Sequence, residues 1–70
     1  MATARLTWRK IAYGWLSGDG RWMIRGPIHG MRMWWLYLDE HRYSETGRFE
    51  DSPWFPTAAA AKRYVERKVK

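Results

Sequence analysis

Alternating aromatic runs separated by turn residues, followed by a capped alanine-rich stretch, predict an α+β domain. The expected architecture is a three- to four-stranded antiparallel sheet with one C-terminal helix packed on one face. Seventy residues leave room for a single domain, residues 1–70, and 46% apolar residues are enough to give it a core. That core is small, and with no cysteine neither a disulfide nor a thiolate metal site can reinforce it.

Leu6-Thr7-Trp8-Arg9-Lys10 reads as the first short strand. Tyr13-Gly14-Trp15-Leu16-Ser17 either continues it past an irregularity near Ala12 or pairs with the strand that follows. Gly18-Asp19-Gly20 supplies the positive φ of a tight hairpin turn. Arg21-Trp22-Met23-Ile24-Arg25 is the next strand, and Gly26-Pro27 ends it because proline cannot donate to a ladder. His29-Gly30 is a second turn, and Met31 to Leu38, dense in Trp, Tyr and Leu, is the most strand-like run in the chain. Ser44 to Gly47 marks a third turn. Arg48-Phe49-Glu50 is a candidate last strand, and the prolines at 53 and 56 make the segment after it a loop.

Thr57 has the chemistry of a helix N-cap, and Ala58 to Ala61 carries the highest helix propensity available. Ala61, Tyr64, Val65 and Val69 recur at helical spacing, so that face packs down. Lys62 and Glu66 stand at the i,i+4 spacing of an ion pair.

Because strand side chains alternate, a helix on one face buries Trp22, Ile24, Trp34, Leu36 and Leu38. The other face then displays Arg21, Arg25, Trp35 and Tyr37, with Met23 and Met33 between them. Arg32 precedes the third strand, and Arg9 and Lys10 beside Trp8 extend the basic and aromatic set. Six tryptophans are more than so small a domain can bury, and cationic-aromatic surface suits nucleic acid, with arginine on phosphates or guanine edges and tryptophan on sugars or bases. The competing reading is a second tryptophan-rich core, covered by the N-terminal segment or by the mate in a homodimer.

The formal charge of +6 is unevenly spread. Residues 1–38 carry Arg5, Arg9, Lys10, Arg21, Arg25 and Arg32 against Asp19, a balance of +5. Residues 39–56 carry Asp39, Glu40, Glu45, Glu50 and Asp51 against Arg42 and Arg48, a balance of −3. Residues 57–70 carry Lys62, Arg63, Arg67, Lys68 and Lys70 against Glu66, a balance of +4. A polyanion is drawn to the two basic segments and repelled by the middle; the same charge also serves to keep an aromatic-rich chain soluble.

Gly20 to Arg25, then Trp35-Leu36, then Phe55 and Thr57 before an alanine-rich helix reaching Tyr64, resemble the AP2-type DNA-binding domain and the arm-binding domains of tyrosine integrases. That resemblance implies a three-stranded sheet in the DNA major groove backed by a helix. Arg21, Arg25 and Trp35 would lie on DNA, and Phe55 and Ala61 would be packing positions. Leu6 to Lys10, Tyr13 to Trp15 and Phe55 to Lys62 are similar to small proteins of actinobacterial phages.

Other chemistry is thinly represented. His29 and His41 lie in or near turns without metal-ligand spacing, and no glycine-rich phosphate loop precedes a helix. Ser17, Ser44 and Ser52 sit in turns, and Asp39-Glu40 would point to opposite sides of a strand. The expectation is a protein that is not an enzyme, with no cofactor, metal or catalytic residue. It is expected to bind double-stranded DNA as an accessory or regulatory factor; the alternative is a module that binds or inhibits a host protein. A weakly apolar helix, no secretory leader and no membrane span point to a cytoplasmic protein, in the host cell interior if phage-encoded.

Overall fold

The computed structural model describes residues 6–27 and 30–69. Five strands follow one another as an antiparallel meander: β1 (Trp8–Ile11), β2 (Gly14–Ser17), β3 (Trp22–Arg25), β4 (Trp34–Leu38) and β5 (His41–Arg42). A 3-10 turn at Phe49–Asp51 leads to β6 (Trp54–Phe55), and helix α1 (Ala58–Lys68) completes the fold. β4 pairs with β3 along one edge, while β5 and β6 divide its other edge, β5 beside Tyr37 and Leu38 and β6 beside Trp34 and Trp35.

The antiparallel sheet with a C-terminal helix is as expected, but it has six strands rather than three or four. Of the two expectations for Tyr13 to Ser17, pairing with the following strand holds and extension of the first strand does not. The chain turns back at Ala12-Tyr13 and pairs with β1, then pairs with β3 as well. Arg48 to Glu50 is not a strand: Phe49–Asp51 winds into the 3-10 turn. The expected loop beyond it contains β6, because the free edge of β4 offers backbone donors and acceptors that need partners. Gly30 has positive φ, as a turn requires, whereas His29 lies outside the described residues.

The β2–β3 turn is built around one hydroxyl. Ser17 is 2% exposed; its Oγ donates to Asp19 Oδ1 at 2.5 Å and accepts from the Trp22 N–H at 2.9 Å. Asp19 also accepts from the Arg21 N–H at 3.0 Å. These bonds hold the Asp19 carboxyl below its ordinary pKa, the Ser17 hydroxyl contributing most. Stability from Asp19 is therefore complete above the ordinary carboxyl value of 3.8 and is lost as pH falls through the lower folded value. Ser17→Ala strands the Trp22 N–H in the interior and is expected to cost about 1–3 kcal/mol at neutral pH. It should also raise the acid-unfolding midpoint; chemical denaturation across pH 3 to 7 measures both, and unchanged stability would remove this account of the turn.

At the β4–β5 turn both Asp39 and Glu40 have positive φ, 50° and 72°. That is the backbone of a type I′ hairpin, occupied here without asparagine or glycine.

The helix begins after Pro56, where Thr57 is extended and its hydroxyl accepts the Ala60 N–H at 3.1 Å. It packs on β3, β4 and β6. Ile24, Leu36, Ala61 and Val65 are fully buried and Trp22 nearly so, with Trp8, Trp15, Trp34, Leu38 and Phe55 around them. Small residues at Ala58 and Ala61 let the helix approach the sheet. Tyr43 packs at a tilt against Trp22, ring centres 5.2 Å apart, and meets Tyr64 edge-on at 6.3 Å. The Tyr64 hydroxyl donates to Glu45, and Lys68 Nζ stands 3.6 Å from the same carboxylate, tying the 43–45 segment to the helix. Lys62 and Glu66 do not pair: Lys62 Nζ sits 3.3 Å from the Trp15 ring centre, and Glu66 accepts the Trp8 indole N–H at 3.2 Å. Val69 remains exposed beyond the packed face.

Candidate nucleic-acid interface

All six strands lie in one sheet and α1 covers one side of it, so among the described residues the opposite side is the open face. Register fixes which residues that face presents. One row across the strands reads Arg9, Leu16, Met23, Tyr37, Arg42. The next reads Ile11, Gly14, Arg25, Trp35, Trp54. At about 4.8 Å between strands, each row spans roughly 19 Å. Neither row contains a carboxylate, and three arginines stand among three large aromatics.

Two of the arginines, Arg25 and Arg42, are held by those rings. The Arg42 guanidinium lies 4.0 Å from the Trp35 ring centre, 4.8 Å from Phe49 and 5.5 Å from Tyr37. Arg25 lies 5.8 Å from Tyr37. Such stacking fixes a long side chain while leaving its donor edge for an anion. Arg42 Nε is buried and makes no hydrogen bond. Trp54, 52% exposed, and Phe49, 67% exposed, form the aromatic margin of the face.

Arg9, Arg25, Trp35 and Tyr37 thus share this face. Arg21 belongs to the next row outward, where its guanidinium meets Asp39 through Nε–Oδ1 at 3.3 Å and Nη2–Oδ2 at 3.2 Å. Asp39 raises the Arg21 pKa, so this cation is already matched. Arg32 is exposed in the turn before β4, outside any strand. Lys10 is on the helix side, opposite Trp15 in register, and its ammonium is 5.5 Å from that ring. Grouping it with Arg9 overlooked the alternation of β1. Sequence reasoning also missed Arg42 and Trp54, which join the face only because β5 and β6 pair with β4.

The acidic segment lies beside this site. Glu50 takes Arg48 as its partner at 2.8 Å, and Phe49 from the same 3-10 turn abuts Arg42. Arg9 and Arg25, by contrast, take part in no ion pair among the described residues. Among the described residues no group of three metal-ligating side chains occurs, and no helix is long and apolar enough to cross a membrane. No family model, curated protein or solved structure matches the chain.

Proposed function

We propose that this protein binds double-stranded DNA through the open sheet face, as a small accessory or regulatory factor of phage type rather than an enzyme. The observation that carries this reading is the pair of register-aligned rows, free of carboxylates, in which Arg9, Arg25 and Arg42 stand among Tyr37, Trp35 and Trp54. Phosphates would bind at Arg9 and Arg25, which take part in no ion pair among the described residues. Trp54 would lie against sugars or base edges, and Arg42 would be pre-positioned by the rings around it. The AP2-type resemblance is consistent with this use of a sheet, and the proposed setting is the cell interior.

Fluorescence anisotropy with a labelled random-sequence duplex tests the reading at two salt concentrations. Binding should weaken steeply with salt, and Arg25→Gln or Arg9→Gln should each lower the logarithmic salt slope by about 1. If both variants leave affinity and slope unchanged, the open face is not a DNA surface. Phe49 and Trp54 favour a second reading, since exposed aromatics beside arginine are also the hot-spot types of protein interfaces. Salt-insensitive capture of one host protein, abolished by Trp54→Ala, would select that reading.

A further inference from the structure

On the helix side of the sheet, a cleft of about 320 Å³ opens between the β1–β2 turn and the end of β3, lined by Lys10, Tyr13, Trp15, Pro27 and Trp34. We infer that it is a nucleotide site, taking one base among its aromatic walls and the attached phosphate at Lys10 beside Trp15. The choice of a nucleotide among planar anions rests on the nucleic-acid reading above. Of the cleft's lining residues Gly14 alone also stands in those rows, and it contributes no side chain to either.

Three features make this a shaped site. First, its walls converge through two glycines. A Cβ on Gly14 would overlap the Ile24 carbonyl oxygen, and one on Gly26 would stand 2.7 Å from the Met33 oxygen and 3.0 Å from the Trp34 ring. The Gly26 N–H donates to the Tyr13 carbonyl at 3.0 Å, which fixes the turn against the end of β3. Second, Tyr13 is 72% exposed in a two-residue hairpin turn, where small polar residues are the usual occupants. The core does not require that ring, whereas a ligand base could stack on it. Third, Lys10 lines the cleft, its ammonium lies 5.5 Å from the Trp15 ring centre, and it takes part in no ion pair among the described residues; Lys62, outside the lining, braces the same ring at 3.3 Å. An ammonium without a carboxylate partner at an aromatic wall favours an anion. A volume near 300 Å³ lies at the small end of ligand pockets, suited to one base rather than a dinucleotide.

The test is the indole N–H spectrum of the 15N-labelled protein, assigned by Trp15→Phe and Trp34→Phe, titrated with thymidine 5′-monophosphate and with thymidine. The nucleotide should shift the Trp15 and Trp34 signals at millimolar concentration and leave Trp35 and Trp54 in place. Lys10→Gln should weaken the nucleotide about tenfold and leave the weaker nucleoside response unchanged, the signature of a lost charge contact. Equal responses to nucleotide and nucleoside in the wild type, or silent Trp15 and Trp34 signals, would overturn the proposal. The source of the ligand follows from a 5′-phosphorylated duplex with an unpaired overhang. Tighter binding than the mononucleotide marks a strand end, and equal binding marks a free nucleotide. Arg25→Gln separates this site from the open face, because it should reduce random-duplex binding while the mononucleotide shifts persist.

Discussion

Gly14→Ala is expected to destabilise the protein by about 3 kcal/mol, lowering the melting midpoint by roughly 15 °C. Gly14 is buried in β2 opposite Arg25 and pairs with β1 as well. A methyl group there overlaps the Ile24 carbonyl oxygen and reaches the Ile24 carbonyl carbon at 2.8 Å and the Arg25 Cα at 3.0 Å. All three atoms are backbone within a paired ladder, so no rotamer change relieves the overlap; two strands must move. Gly20→Ala is the control. It meets nothing within 4 Å, and its φ of 79° alone should cost about 1–2 kcal/mol. Thermal melts followed by circular dichroism decide the matter. If Gly14→Ala melts no lower than Gly20→Ala, the close approach at Gly14 does not limit stability.

Leu36→Ala should cost about 2–5 kcal/mol, against a total near 4–10 kcal/mol for a domain of this length. Leu36 is fully buried in the central strand, opposite Ile24 in register, and belongs to the cluster with Ala61 and Val65 beneath the helix. The cavity cannot collapse readily, because β4 is paired along both edges and its backbone is held. A substantial fraction of the variant should be unfolded at room temperature, measured as a urea midpoint close to zero. Leu38→Ala, at a half-buried position next to the turn, should cost clearly less. Equal losses at the two positions would mean that the core is not centred where the burial pattern puts it.

The two faces of the sheet were legible in the sequence because alternation is a property of the strand alone. Trp22, Ile24, Trp34, Leu36 and Leu38 fall on the helix side, and Arg25, Trp35 and Tyr37 on the other. The helix was legible for a similar local reason, since Thr57 caps it directly. What escaped is tertiary in origin. β5 and β6 are two residues each, too short for any periodicity, and exist because β4 has a free edge. The turn that launches β5 places Asp39 and Glu40 at positive φ, where a sequence signal would have been asparagine and glycine. Arg42 and Trp54 were consequently invisible as members of the candidate site. Arg21 was counted as a free cation because its partner, Asp39, lies across a hairpin eighteen residues along the chain.

Among the described residues β1, four residues long, is the terminal strand of the sheet, at the end opposite the edge that β5 and β6 divide. An unsatisfied strand edge is where another chain can add by backbone pairing. Here that edge carries Arg9 on one side of the sheet and Lys10 on the other, both exposed. Two copies approaching edge to edge would bring like charges together on both surfaces at once. The two cations thus blunt this edge against backbone pairing with a second copy.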